Sequence, residues 1–126
     1  MTYEETLHYL YIRVPVFQHS GASAYKPGLG TSLSLDKYLA YPHKAYKTIH
    51  VAGTNGKGST SHLLAAVLQK SGYKVGLYTS PHLVDFRERI RVDGKMIDKQ
   101  YVVDFIEKHR SYFETLSPSL KYLFCL

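Results

Sequence analysis

The sequence predicts an α/β fold in which a parallel sheet is flanked by helices. Three stretches in the middle of the chain predict it. Residues 48–52 are a short stretch rich in β-branched side chains, residues 59–71 carry apolar side chains at helical spacing, and residues 75–78 form a second short strand-like run. A strand, a helix and a strand within about thirty residues make a βαβ unit, whose strands lie parallel and whose crossover is right-handed.

Length and composition exclude several classes of protein. The chain has 126 residues, of which 44% are hydrophobic and 21% charged, so it is neither disordered nor of low complexity. Its single cysteine, Cys125, excludes a disulfide scaffold and a thiolate metal cluster. The acidic start does not have the pattern of a secretory signal, and no run approaches the roughly 20 apolar residues of a membrane span. We therefore expect a cytoplasmic protein without a membrane partner.

Local signals predict two helices ahead of the βαβ unit. Thr2 and Glu5 form a capping-box pattern, which predicts a helix that continues until Pro15. Residues 18–30 are rich in Ser, Gly and Pro and predict a loop. A second helix is expected over residues 34–40.

A hairpin and a last helix are predicted after the βαβ unit. Residues 89–92 alternate polar with apolar side chains, Asp93-Gly94 is a strong turn signal, and residues 95–97 return. Asp98 can cap the last helix, whose predicted apolar face consists of Val102, Phe105, Ile106 and Phe113. The mostly apolar residues 120–126 have nothing after them to pack against, so we expect the domain to be incomplete.

The turn between the first predicted strand and its helix has the composition of a phosphate-binding loop. Its glycines allow backbone N–H groups to approach phosphate oxygens, and the helix N-terminus adds unsatisfied donors with a partial positive charge. Lys57 supplies a full positive charge for the β- and γ-phosphates, and the hydroxyl of Ser59 or Thr60 suits phosphate or Mg²⁺. The candidate nucleotide-binding residues are Thr54, Asn55, Gly56, Lys57, Gly58 and Ser59.

This loop differs from two common nucleotide-binding patterns. A strict Walker A sequence has glycine at the position of Val51 and Ser or Thr at the position of Gly58. The dinucleotide fingerprint has another glycine order and an acidic residue after the second strand, which ends here at Tyr78. The loop fits the shorter pattern Gly-x-x-Gly-Lys-x-Ser/Thr, which also predicts phosphate binding.

The distribution of charge also favours an anionic ligand. The net charge is +6, and the stretch from Lys37 to Val84 contains six lysines and no carboxylate. A nucleotide phosphate or a nucleic acid would suit such a field. No aromatic residues interleave with Arg87, Arg89 and Arg91, so we expect these charges on one solvated face of the hairpin, and a nucleic acid partner is not favoured.

A second candidate constellation is Ser80-Pro81-His82. If residues 48–52 and 75–78 are parallel strands, both end at the same edge of the sheet, and Ser80 lies beside the phosphate loop. Its hydroxyl could then complete the coordination of a nucleotide-bound Mg²⁺, although no carboxylate occurs between positions 37 and 84. A Ser-Pro turn that only ends a strand is an equally good interpretation. The seven histidines lack metal-ligand spacing, so zinc is not expected.

Three segments, in this order and spacing, resemble the folylpolyglutamate synthase/dihydrofolate synthase family of the Mur ligase superfamily. They are residues 50–59 (HVAGTNGKGS), 78–83 (YTSPHL) and 87–92 (RERIRV). The likeness extends from the N-terminal helix to about Ser119. The phosphate loop alone would indicate only the superfamily, whereas Ser-Pro-His-Leu points to the folate branch.

The resemblance implies an ATP-dependent ligase with a Mur ligase-like ATPase domain. ATP and Mg²⁺ would phosphorylate a carboxylate of folate or dihydropteroate, and the amino group of L-glutamate would then displace phosphate. By the same resemblance, residues 54–59 hold the ATP phosphates, Lys57 is catalytic because it stabilises the transferring phosphoryl group, and Ser80 is a Mg²⁺ ligand. The positions that match segments bordering the pterin pocket are Gly28, Leu29, Gly30, Pro81 and His82.

The chain departs from the family after Ser119. Members continue with Ser-Phe-Phe-Glu, whose glutamate ligates the metal, whereas Leu120-Lys121-Tyr122 follow here. Members are also several-fold longer and have a second, glutamate-binding domain. The resemblance therefore implies that residues 1–126 are the N-terminal part of the ATP-binding domain, inactive alone. Two alternatives remain open: a phosphate-loop module that binds a nucleotide or nucleic acid without catalysis, and a small-molecule kinase.

Overall fold

The computed structural model describes residues 1–13 and 30–116, which form two compact units. Residues 1–13, 30–48 and 103–116 belong to the first unit, and residues 49–102 to the second. The helices of the described chain are α1 (Tyr3–Arg13), α2 (Gly30–Tyr38), α3 (Lys57–Lys70) and α4 (Lys99–Thr115). Its strands are β1 (Gly76–Tyr78), β2 (Ile90–Val92) and β3 (Lys95–Met96), and two short 3₁₀ helices cover Pro42–Ala45 and Phe86–Arg89. None of the described helices combines the length and apolar character that a bilayer crossing requires.

The first unit has a helical core. Leu10 of α1, Leu35 of α2 and Phe113 of α4 are each no more than 2% exposed. Burial of an apolar side chain of this size contributes about 1.5–3 kcal/mol. Of the predicted apolar face of the last helix, Val102, Ile106 and Phe113 are buried and Phe105 is half-buried, which confirms the prediction. Val103, which was not predicted, is also buried.

Aromatic and polar contacts join α2 to α4 within this unit. The rings of Tyr38 and Tyr112 stack with centroids 3.7 Å apart, and the Tyr112 hydroxyl donates to the carbonyl of Ser34 at 3.1 Å. His109 Nδ1 lies 3.0 Å from the Tyr38 hydroxyl. These contacts fix α2 on the same face of α4 that carries the core residues.

The predicted helix boundaries hold at α1 and shift at α2. Glu5 N–H donates to Thr2 Oγ1 at 3.1 Å and Thr2 N–H donates to the Glu5 carboxylate at 2.7 Å, which confirms the capping box. α2 begins at Gly30, earlier than predicted, and ends at Tyr38 because the next turn places Ala40 and Tyr41 at positive φ. The loop predicted over 18–30 lies outside the described residues except at Gly30.

The second unit contains the predicted hairpin. In β2 and β3, Arg91 lies opposite Met96 and Val92 opposite Lys95. Asp93 and Gly94 have φ values of 49° and 80°, and two positive values in succession are what a two-residue type I′ turn requires.

The predicted parallel pair of strands is wrong. Residues 48–52 form no strand, and β1 pairs antiparallel with β2 instead. β-Branched residues favour extended backbone, but a strand forms only where its N–H and C=O groups find a partner. Within the described ranges no strand pairs with 48–52, and Ile49 is 63% exposed.

The helix after the glycine-rich turn is confirmed, but its apolar face is largely open. α3 begins at Lys57, two residues before the predicted start. Leu63 and Val67 are 68% and 63% exposed. The other side of the helix, which carries Ala65 and Gln69, faces β1 and the hairpin.

Candidate phosphate-binding site

The glycine-rich turn leads into α3 through a left-handed residue. Gly56 is the N-cap of α3 with φ +76°, a conformation that a side chain would strain. Its carbonyl accepts the first helical hydrogen bond, from Thr60 N–H at 3.0 Å. No side chain caps α3 and its first turn contains no acidic residue, so the positive end of the helix is uncompensated within the helix itself.

Lys57 extends back over the turn that precedes it. Its Nζ donates to the carbonyl of Gly53 at 2.6 Å and to that of Thr54 at 3.4 Å. Both partners are neutral, and no carboxylate pairs with this ammonium among the described residues. The positive charge of Lys57 thus lies over the loop, and an anion can still pair with it.

The other candidate residues of the turn are open to solvent. Thr54, Asn55 and Ser59 are exposed, and a Cβ added at Gly58 would meet nothing within 4 Å. The fold of the chain would therefore tolerate a side chain at position 58. The reason for glycine that the sequence suggests is the close approach of a phosphate. Ser61 is engaged elsewhere, since its hydroxyl donates to the Lys57 carbonyl at 2.8 Å.

Ser80, Pro81 and His82 form a loop directly after β1. Ser80 and Pro81 are exposed and joined by a cis peptide bond, whereas His82 is half-buried. Its Nδ1 accepts a hydrogen bond of 2.7 Å from Arg89 Nε, and its ring meets Phe86 edge-on. Burial, and secondly the charge of Arg89, lower the pKa of His82.

Sequence reasoning missed the residue that organises this loop. The Glu88 carboxylate accepts from the N–H groups of Leu83, Val84 and Asp85 at 3.2, 2.9 and 2.5 Å. These bonds lower the pKa of Glu88, with the one from Asp85 contributing most. The signal was present, because Asp85-x-x-Glu88 is a capping-box pattern for the short helix Phe86–Arg89.

The three arginines of this region do not share a solvated face, contrary to the expectation from sequence. The guanidinium of Arg87 pairs with the Asp85 carboxylate at 2.8 Å, and Arg89 contacts His82. Arg91 lines a cavity next to α3. Strand alternation begins only at Ile90, because the preceding residues form a 3₁₀ turn, so one face could not collect all three side chains.

The structure groups the predicted site residues into separate sets. Thr54 to Gly56 lie on the glycine-rich turn and Lys57 to Ser59 in the first turn of α3. Ser80, Pro81 and His82 lie on another loop of the same unit. Gly30 begins α2 in the first unit, whereas Gly28 and Leu29 lie outside the described residues. That the two loops act together, and that Ser80 ligates a metal, stay predictions. Among the residues described, no three His, Cys, Asp or Glu side chains are close enough to hold a metal ion.

Known proteins that are similar to this chain in sequence and fold are folylpolyglutamate and dihydrofolate synthases. The chain is 42% identical over 91 residues to the dihydrofolate synthase/folylpolyglutamate synthase of Bacillus subtilis, a match that covers 72% of this chain and 21% of that protein. The solved folylpolyglutamate synthetase from Lactobacillus casei superimposes with a TM-score of 0.77 at 36% identity, covering 90% of this chain and 27% of the enzyme. The chain is a homologue of the folylpolyglutamate and dihydrofolate synthases.

Two further findings qualify this relationship to the folylpolyglutamate and dihydrofolate synthases. A solved complex of folylpolyglutamate synthase with AMPPCP and folate matches with a TM-score of 0.76 at 35% identity, over 90% of this chain and 26% of that one. No protein-family model matches the sequence. The chain spans only about a fifth to a quarter of the relatives just named and matches their N-terminal part. This confirms the mixed helix and sheet fold expected from the sequence, apart from the parallel pair of strands.

Proposed function

We propose that this chain forms the ATP-phosphate-binding part of a ligase that joins L-glutamate to folate or dihydropteroate. The observation that carries the proposal is the turn at residues 53–59, where a left-handed Gly56, the start of α3 and the ammonium of Lys57 converge. The relatives that match this chain are named folylpolyglutamate synthases, and one was solved with AMPPCP and folate. Both facts support an ATP-dependent carboxylate–amine ligase over a module that binds without catalysis.

The chemistry proceeds in two balanced steps. A carboxylate oxygen of the folate attacks the γ-phosphorus of ATP, which forms an acyl phosphate and releases ADP. The glutamate nitrogen then attacks the acyl carbon, and inorganic phosphate leaves as the amine loses a proton. In this scheme the N–H groups of the first turn of α3 bind phosphate oxygens, and Lys57 balances the charge on the transferring phosphoryl group.

The exposed hydroxyl of Ser80 is a suitable ligand for Mg²⁺, since Mg²⁺ prefers oxygen ligands and often retains water. The described residues supply no cluster of acidic ligands, so the ion would be held largely by the nucleotide phosphates. When bound, Mg²⁺ neutralises phosphate charge. The contribution of this chain is the loop hydroxyl, and Ser59 is a second hydroxyl on the phosphate turn.

Replacement of Lys57 tests the proposal. Lys57→Ala should weaken Mg·ATP binding at least about 10-fold, because a charge-assisted contact to phosphate is lost. The matched control is Lys70→Ala, which removes the same charge from the other end of α3 and should retain affinity within about twofold. Titration calorimetry measures both variants, and circular dichroism checks that each remains folded.

Two results would contradict the proposal. One is equal Mg·ATP affinity in the chain with Lys57 and in Lys57→Ala. The other is the absence of heat with Mg·ATP together with binding of a random oligonucleotide that weakens steeply with salt, which would favour the nucleic acid module.

A further inference from the structure

An open cavity of about 160 Å³ lies at the surface of the second unit, between α3 and the sheet. Ala65, Ala66 and Gln69 line it from the helix, and Val75, Leu77 and Arg91 line it from the sheet side. A single water molecule needs roughly 10–15 Å³ of such space, so a larger guest can enter. The two alanines create the room, because a longer side chain at either position would reach into it.

Arg91 brings a positive charge to this cavity. In the pairing of β1 with β2 it lies opposite Leu77, and directly opposed residues share a face of the sheet. Its Nε is buried and has no hydrogen-bond partner among the residues described. A guanidinium offers five N–H donors, and the buried Nε leaves one of those of Arg91 without a partner among the described residues, which costs free energy.

No carboxylate among the described residues forms an ion pair with Arg91. The carboxylate of Asp93, in the hairpin turn, accepts the N–H of Val75 at 2.8 Å. The Gln69 side-chain amide donates to the Asp93 carbonyl at 3.1 Å. His62, at the edge of the cavity, adds a further ring nitrogen. The cavity therefore combines donors and a cation with space, which is the chemistry of an anion site.

We propose that this cavity binds a small oxyanion, a carboxylate or phosphate group, through the guanidinium of Arg91. The planar fork of arginine matches two oxygens of either group. The site differs from the phosphate turn, because Ala66 lies about 13 Å along α3 from Lys57 at 1.5 Å per residue. The proposal goes beyond the ligase function and does not rest on it.

Nuclear magnetic resonance of the whole 126-residue chain tests the proposal. The Nε–Hε signal of Arg91 is followed while sodium phosphate or sodium acetate is added at constant ionic strength, with sodium chloride as reference. The titrations are run in the Lys57→Ala background, so that anion binding at the phosphate turn does not contribute. We expect a saturable shift of the Arg91 signal with phosphate, acetate or both, and none with chloride.

Three variants, followed through the Gln69 side-chain amide signal, separate the site from general charge effects. Arg91→Gln should abolish saturation, whereas Lys95→Gln removes the same charge from an exposed position of the hairpin and should retain affinity within about twofold. Ala65→Leu keeps the guanidinium but fills the cavity and should weaken binding at least about 10-fold. An Arg91 signal that moves with neither anion, or equal affinity in Arg91→Gln, would overturn the proposal.

Discussion

His82 is held as a neutral imidazole by its surroundings. Its Nδ1 accepts the hydrogen bond from Arg89 Nε, so the ring proton resides on Nε2. Burial and the Arg89 charge both disfavour a second proton and lower the pKa of His82. The folded chain therefore takes up a proton at this ring only at lower pH than the unfolded chain does.

The pH dependence of this imidazole can be measured directly. We expect the carbon-bound ring proton of His82 to titrate in NMR spectra with a midpoint below the ordinary value of about 6.5. Arg89→Gln should raise that midpoint, because a positive neighbour is lost, and leave the midpoint of His109 unchanged. The contribution of neutral His82 to the free energy of unfolding is complete above about pH 6.5 and is lost as pH falls through the lowered pKa. A His82 midpoint at or above 6.5 would contradict the structure.

Two carboxylates, those of Glu88 and Asp85, hold the segment between β1 and β2 in place. Glu88 accepts three successive backbone N–H groups, and Asp85 accepts the N–H of Arg87 at 2.9 Å. These bonds satisfy a loop that has little apolar support, since Leu83 and Val84 are 90% and 91% exposed. The charge of Glu88 is therefore the main local reason for the loop's shape.

Removal of that charge should loosen the loop. Glu88→Gln leaves one acceptor oxygen in place of two, so the amides of residues 83–85 should exchange with solvent several-fold faster in hydrogen-exchange experiments. The chain with Glu88 should also lose stability as pH falls from about 4.5 through its lowered pKa, and Glu88→Gln should lose less over that range. Glu114→Gln, which affects an exposed helical ion pair with Arg110, is the control and should change neither property. Unchanged exchange at 83–85 would contradict the assignment.

Elements were predictable from sequence to the extent that neighbouring residues determine them. Asp93-Gly94 fixes the hairpin turn by its own backbone preferences, and the Thr2–Glu5 capping box fixes the start of α1. Residues 48–52 failed as a strand because pairing depends on distant segments. The phosphate turn could be predicted from the spacing of its glycines and from one lysine. The contact of His82 with Arg89 could not, because it depends on a 3₁₀ turn in a segment whose sequence alternates as a strand does.

At the scale of the molecule, burial is concentrated in one of the two units. Of the nine buried side chains among the described residues, seven belong to the first unit and only Phe86 and Val102 to the second. Local stability follows buried apolar contact, so the unit that carries the phosphate turn should open more readily than the helical unit. A loosely held turn can still bind phosphate, because its donors come from the backbone at a helix start and not from packed side chains.

Hydrogen exchange across the chain tests this difference. Amides in the part of α4 that belongs to the first unit should exchange at least about 10-fold more slowly than those of α3, the ratio that a 1.4 kcal/mol difference in opening free energy gives. Phe113→Ala should remove about 3–5 kcal/mol of stability, because Phe113 is fully buried, and should abolish the extra protection of α4. Tyr101→Ala, at a position of the same helix that is 64% exposed, should leave that protection unchanged. Equal protection of α3 and α4 in the unsubstituted chain would contradict the prediction that buried side chains set the order of opening.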